Sequence, residues 1–332
     1  MTNWYVSSLA GGGGSGSEVS PWTLSESITN INNSTVLAGD IVWVKADGVY
    51  YMTSTYTISV SGTTNLLKIF AGYTSTIGDN GRATIQRTSG TGYMFDWYPR
   101  LYWLVRNIIF DANNIAGSYG VGAINTYGFA FINCIVKNAP NYGAVRGIWI
   151  NCQFNDLGGE SLYEGRLFYC LLTNCSLTNG VNISHCIVKG IHANPLVYSS
   201  QAYIENCIFD GSSIISTHLI YMDVGRIINS IIVNHNVAGK YALCNTNIGC
   251  LITNCNFYNN LNNILTDVRL NSVSLDPQFN DIANNDYTRV GINLDNLGLS
   301  KIGLISSIPN YNIDIGIDQK TSIINNVFGM IS

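Results

Sequence analysis

Charge is scarce in this chain. Lys, Arg, Asp and Glu make up only 11% of its 332 residues, against roughly a quarter in an ordinary soluble domain. The surface must therefore be built mostly from Asn, Ser, Thr, Gly and Tyr. A net charge of −4 and a pI near 5.5 leave no surplus of clustered Lys and Arg, which phosphate backbones and anionic lipid both require. Nucleic acid and membrane are not expected partners. No apolar run approaches the ~18 residues that would span a bilayer. Met1-Thr2-Asn3-Trp4 has neither the basic nor the apolar part of a secretion signal. Zinc-type C-x2-C pairs are missing too, since Cys170/Cys175 and Cys250/Cys255 are each separated by four residues. The four histidines, His185, His192, His218 and His235, fall at no metal-ligand spacing, and the run Gly11 to Gly14 has no Lys-Ser/Thr partner to make a phosphate loop. No metal and no cofactor is expected.

What the chain does have is a returning phrase between Leu104 and Asn260. It takes the forms Asn107-Ile108-Ile109-Phe110, Asn133-Cys134-Ile135-Val136, Asn151-Cys152-Gln153-Phe154 and Tyr169-Cys170-Leu171-Leu172. It continues as His185-Cys186-Ile187-Val188, Asn206-Cys207-Ile208-Phe209, Asn229-Ser230-Ile231-Ile232 and Asn254-Cys255-Asn256-Phe257. The steps between second residues are 26, 18, 18, 16, 21, 23 and 25. Each phrase is a small or apolar residue, a variable one and a larger apolar one, the period-2 alternation of a strand with one buried face. A strand returning at this period with no helical pattern between is a solenoid signature.

The nine cysteines are an odd number, and most occupy the same small core-facing slot. A buried free Cys behaves as a small hydrophobe, so these are expected to be reduced structural thiols from a reducing cytoplasm. Asp111, Asn138, Asn155, Asn174, Gly190, Gly211, Asn234 and Asn259 follow the strands, where residues that tolerate left-handed backbone suit sharp corners. The Asn before the small slot (107, 133, 151, 206, 229, 254) can stack into a hydrogen-bonded ladder. His185 stands in that slot as a corner residue.

Before the repeats, Trp4 to Ser7 is predicted as a strand, Leu24 to Ile28 as a short helix, and Ile41–Val44, Thr57–Val60 and Leu66–Phe70 as strands. The order Trp4-Tyr5-Val6, glycine-rich loop, Pro21-Trp22-Thr23-Leu24, Gly39-Asp40-Ile41-Val42-Trp43-Val44, Gly48-Val49-Tyr50 resembles the N-terminal cap of right-handed parallel β-helix proteins of the pectin-lyase-like superfamily. Asp276-Pro277-Gln278-Phe279, Asn285-Asp286-Tyr287-Thr288-Arg289 and Ile313-Asp314-Ile315-Gly316 are similar to that family's closing pattern. The resemblance implies an all-β, single-stranded right-handed parallel β-helix with an N-terminal capping helix. Its expected parts are a cap region over 1–50, coils over 51–275 and a closing segment over 276–318. An apolar tail, 319–332, then carries Ile323, Ile324, Val327, Phe328 and Met330, which must fold back over the last coil or dock on a partner.

The resemblance also implies where to look for chemistry: lyases of the superfamily hold Ca²⁺ with clustered carboxylates, and hydrolases use acidic residues on neighbouring strands. No adjacent carboxylate pair is present in the coils. The densest group is Asp156, Glu160, Glu164 and Arg166 in one inter-strand loop, with Arg146 about a coil earlier, an acid/base set if the side chains converge and surface ion pairs if they do not. Tyr93, Trp97, Tyr98, Tyr102 and Trp103 could contact a glycan, cover a subunit face or pack internally. The expectation is a non-enzymatic structural or adhesion protein of a bacteriophage particle, assembled in host cytoplasm, such as a spike or capsid-decorating subunit. The expected partners are further copies in a homotrimer, other virion proteins and a polysaccharide. That reading rests on the missing secretion signal, the thiols, the absent carboxylate pair and the superfamily's phage tailspikes. The alternative is a polysaccharide lyase or glycoside hydrolase working from the Glu160/Glu164 loop.

Overall fold

The computed structural model describes residues 1–289 apart from 98, 123–128, 160–161, 191–194, 213, 215–216, 265–268, 271 and 282–285. The chain winds as a parallel solenoid with three faces. On the first face lie Gly92–Asp96, Ser118–Gly122, Ala144–Val145, Leu162–Tyr163 and Leu177–Thr178. The second face carries Trp103–Arg106, Phe129–Ile132, Ile148–Ile150, Arg166–Phe168 and Val181–Ser184. On the third, ten parallel strands run from Val49–Met52 to Asn256–Tyr258 in one sheet. In the later coils the first two faces merge. Val197–Glu205, Ile220–Ile228 and Leu243–Thr253 each cross the corner unbroken, fusing both faces into an 18-stranded sheet.

The repeated phrase builds the third face as the alternation demands. Val136, Phe154, Leu172, Val188, Phe209, Ile232 and Phe257 stand in register and point inward, all within the main core cluster. The variable residue points outward. There Leu171, Ile187, Ile208 and Ile231 form a second apolar cluster with Val233, on which Phe279 packs. Phe279–Asp281 pairs antiparallel with Asp286–Arg289, so a hairpin rather than another coil follows the parallel stack. The repeat itself continues one step past Asn260, with Ser272 in the small slot and Val273 bridging Asn256.

All nine cysteines are buried and free, and the slot does more than supply a small apolar rung. Each of the six thiols in the slot donates to the carbonyl two residues back: Cys134 to Ile132, Cys152 to Ile150, Cys170 to Phe168, Cys186 to Ser184, Cys207 to Glu205 and Cys255 to Thr253, over 3.2–3.5 Å. Ser230 makes the same bond through Oγ at 2.9 Å. The slot atom also accepts from the coil before: the Cys134 and Cys170 N–H groups reach the sulfurs of Cys152 and Cys186 at 3.4 Å, and Cys207 N–H reaches Ser230 Oγ at 3.2 Å. Cys and Ser therefore recur here because they are small and can both donate and accept. Burial pushes the Cys255 thiol up to about 12 and Cys250 up to about 11, so both remain protonated donors.

The residue before the slot bends the chain. Asn107, Asn133, Asn151, Tyr169, His185, Asn206, Asn229 and Asn254 all have positive φ, between 47 and 57°, a conformation Asn tolerates better than most side chains. The expected hydrogen-bonded ladder forms between Asn151 Nδ2 and Asn133 Oδ1 at 2.7 Å. Tyr169 and His185 instead stack ring on ring at 4.9 Å, and His185 Nδ1 lies 2.8 Å from Ser184 Oγ. After the third face a second left-handed series runs through Asn138, Asp156, Asn174, Gly190, Asn234 and Asn259. Asp111, Asn155 and Gly211 are not part of it. Asp111 and Asn155 are the final residues of their strands, and the left-handed bend comes one or more residues later, at Asn113 and Asp156. Hydrogen bonds are denser along this corner: Asn138 to Asp111 (2.9 Å), Asn174 to Asp156 (2.6 Å), Asn234 to Asp210 (3.2 Å) and Asn259 to Asn234 (2.8 Å). Replacing Asn151 with Ala should lower stability by about 1–2 kcal/mol through left-handed strain and the lost side-chain bond. The Gly variant should lose less, because it keeps the backbone freedom. Chemical denaturation of both variants checks this, and a Gly variant weaker than the Ala one would contradict it.

At the start of the chain the helix is longer than the pattern suggests, Leu24–Asn32. Thr23 accepts from Glu26 N–H and Glu26 reaches back to Thr23 N–H, a capping box. Leu24, Ile28 and Ile31 join the main core. The strand expected over 57–60 is only Tyr56–Thr57, and the one expected over 66–70 is Lys68–Tyr73. The closing motif 313–316 and the apolar tail lie outside the described residues.

Candidate functional site

The Asp156–Arg166 segment is not one loop. It runs across all three parts of a coil, and its charges are dispersed. Asp156 is the left-handed corner after the third face, where its carboxylate accepts from Asn174. Leu162–Tyr163 is a strand of the first face, Glu164 the next corner, and Arg166 begins a strand of the second face. Glu160 lies outside the described residues. Arg146 and Glu164 do come together, because they hold equivalent left-handed corner positions in successive coils (φ 58° and 49°). Their side chains meet at 2.5 Å, and both are partly exposed. The negative charge of Glu164, with burial second, holds the Tyr163 phenol above its ordinary value, and Asn179 also reaches that phenol. Among the described residues no three His, Cys, Asp or Glu side chains gather as a metal site would need.

Two of the expected contact aromatics are core. Trp97 and Trp103 are each only 1% exposed. Trp97 stacks on Phe95 and meets Phe129 at 5.0 Å, while the Trp103 indole N–H donates to Val60 O at 2.9 Å. Trp103 is drawn inside because its strand, Trp103–Arg106, puts this position on the inner side of the pleat, whereas Trp97 turns inward just past the end of Gly92–Asp96. Tyr102 is a half-buried corner residue with φ 62°. Tyr98 lies outside the described residues.

Tyr93 alone of that group belongs to a surface array. On the first face its ring lies 5.0 Å from that of Tyr119, tilted by 55°, and Tyr119 meets Tyr142 edge-on (5.4 Å). Burial, with the charge of Asp96 next, raises the Tyr93 phenol to about 12. Further along the same face are Tyr163, then Tyr198 and Tyr221, stacked at 5.1 Å in directly paired positions. His218 stacks on Tyr241 at 5.9 Å and accepts its N–H at 2.9 Å through Nδ1. The expected cluster was local in sequence, whereas the observed one recurs by coil. Tyr119 to Tyr142 and Tyr198 to Tyr221 are each 23 residues apart, the coil offset at both places. Tyr163 and Tyr241 fall at other register positions, beside Val145 and His218, and the 23-residue spacing was the available signal.

No family model matches the sequence, and neither does any curated protein. Solved structures do match. The chain is similar to the crystal structure of the pectate lyase Pel9A, at 15% identity and a TM-score of 0.52, over 83% of this chain and 76% of that one. It is also similar to the ORF18 protein of Geobacillus virus E2, at 15% identity and a TM-score of 0.50 over 74% of this chain, but it spans only 56% of that protein's length. The fold is that of a parallel β-helix. The β-helix accounts for the two surfaces that matter here. A wall of parallel strands about 4.8 Å apart turns residues that share a register position into a column. On the first face tyrosines make two short groups, Tyr93–Tyr119–Tyr142 and Tyr198–Tyr221, aromatic planes with hydroxyl edges that can stack on sugar rings and hydrogen-bond their hydroxyls.

Proposed function

We propose that this β-helix is a non-enzymatic structural and adhesion protein of a bacteriophage particle, contacting glycan through the tyrosines of its first face. The observation that carries this reading is the pairing of a long aromatic face with a carboxylate already engaged. Glu164, the one acid of the expected catalytic group seen at this face, is tied to Arg146 and Tyr163. Glycoside hydrolysis calls for two acidic groups flanking the bond. Nine buried free thiols suit assembly in a reducing cytoplasm, and a protein of a virus is among the structures this chain resembles. A homotrimer and other virion proteins are the partners this reading implies.

The second reading, a polysaccharide lyase or glycosidase, is favoured by the likeness to a pectate lyase. A glycan array combined with reducing-sugar release on the same polysaccharides separates the two. The expected result is binding without turnover, weakened at least about fivefold in Tyr198→Ala and Tyr221→Ala. Turnover abolished by Glu164→Gln would overturn it. The particle assignment is tested by mass spectrometry of purified virions, where absence of the chain sinks the idea.

A further inference from the structure

The second face carries a separate concavity of about 320 Å³, around the corner from the first-face tyrosines. Its walls are two columns of outward side chains taken from successive coils. Arg166, Asn182, Tyr203 and Arg226 stand in register in one column, and Phe168, Ser184 and Glu205 in the other. All of these except Arg166 line the groove, and Arg166 stands one rung beyond Asn182 at its end. Tyr203 is 48% exposed, and the Arg226 guanidinium lies 5.2 Å from its ring centroid. Among the described residues neither Arg166, Arg226 nor Glu205 has an ion-pair partner. A chain with so few charges thus places two free guanidiniums at the two ends of one groove.

We infer that this groove binds an acidic oligosaccharide without turning it over, and that it selects one whose carboxylates are separated by neutral sugar units. Three strand spacings separate Arg166 from Arg226, about 14 Å, which is longer than one sugar unit. A guanidinium fork matches a planar carboxylate in a bidentate pair. Between the two forks the Asn182 amide and Ser184 hydroxyl offer donors and acceptors for sugar hydroxyls, and Tyr203 and Phe168 offer faces for ring stacking. Glu205 sits in the middle rungs. It accepts hydroxyls there and repels a carboxylate, so a chain with an acid on every unit meets like charge half-way along. Arg166, a candidate acid/base residue by sequence, belongs to this groove and not to the Glu164 corner.

The site is independent of the virion reading, and one experiment keeps the two apart. Binding is measured by calorimetry with three probes: a hyaluronan hexasaccharide (alternating acidic and neutral units), its carboxyl methyl ester, and a galacturonate hexamer. The hyaluronan probe is expected to bind most tightly, with the affinity falling as salt rises. Arg166→Met and Arg226→Met should each weaken it about tenfold, and Arg226→Lys should lose less than Arg226→Met. Glu205→Gln should improve binding of the galacturonate hexamer severalfold. Tyr51→Ala, at an exposed position of the third face, should leave all three unchanged. Equal binding of acid and ester, equal binding of the two acidic probes, wild-type affinity in Arg166→Met/Arg226→Met, or no binding of any probe would each overturn the proposal. The altered side chains are on the surface, and thermal unfolding confirms that the variants fold.

Discussion

Replacing Trp149 with Ala should lower the unfolding free energy by about 3–5 kcal/mol, the range for deleting a large buried aromatic. The side chain has no exposed surface. Its ring lies parallel to that of Phe131, with centroids 3.8 Å apart and planes 4° apart, and Phe154 meets it edge-on at 5.1 Å. The indole N–H donates to the Arg146 carbonyl at 2.9 Å, so the same residue anchors the corner that carries the Arg146–Glu164 pair. Alanine leaves a cavity inside one coil and an unpaired carbonyl at its edge. Each coil touches mainly its neighbours in a solenoid, so the damage cannot be spread over the whole core. Trp149→Phe should fall between the two, keeping the stacking and losing the N–H, with about 1 kcal/mol attributable to that bond. Guanidinium denaturation followed by circular dichroism measures both. A loss below about 1 kcal/mol for the Ala variant would show that the stack contributes little.

Acidification should destabilise the protein in two stages, of which the first belongs to His235. This imidazole is completely buried, and neither ring nitrogen has a partner among the described residues. Burial, with the nearby His218 second, lowers its value from 6.5 to about 4. His218 is itself lowered, by burial and then by Lys240. With the folded value below the unfolded one, the unfolded chain takes up a proton first as pH falls. The native state is unaffected above about pH 6.5 and loses stability between 6.5 and 4, by about 3 kcal/mol from this residue. The second stage comes from carboxylates held low. Burial alone would raise Asp40, but the Leu37 and Thr2 N–H groups outweigh it, and the Ser7 and Ser8 donors outweigh burial likewise at Asp47. Their contribution is present above the ordinary Asp value and disappears as pH falls through the folded values. Urea midpoints measured from pH 8 to pH 3 should show both stages. His235→Gln should flatten the first and leave the second. An unchanged slope between pH 6.5 and 4 in that variant would remove His235 as its cause.

Much of the coil was legible in the sequence, for a physical reason visible at Asn151-Cys152-Gln153-Phe154. Side-chain direction in a strand alternates regardless of what it packs against, and the left-handed bend selects Asn almost by itself. The same locality explains what was misread. Trp103 looks like a surface aromatic only while its pleat parity is unknown, and Trp97 only while the end of the strand before it is. Asp156 to Arg166 looks like one acidic loop only while the corner inside it goes unseen. The strand over Tyr56–Thr57 is shorter than its β-branched run because pairing with Phe95 and Asp96 ends there.

Returning to the phrase itself, its residues determined by themselves that the chain coils, which side chain enters the core and where each bend falls. These depend on local backbone preference and a period of two. Only the tertiary structure decided what lies one coil away: that a Cys sulfur accepts the N–H of the preceding coil, that Arg146 faces Glu164, and that Arg166 and Arg226 end the same groove. Coils differ in length by up to ten residues between 16 and 26, so sequence distance does not fix which side chains stack. Register between strands does, and register is set by packing across the whole core.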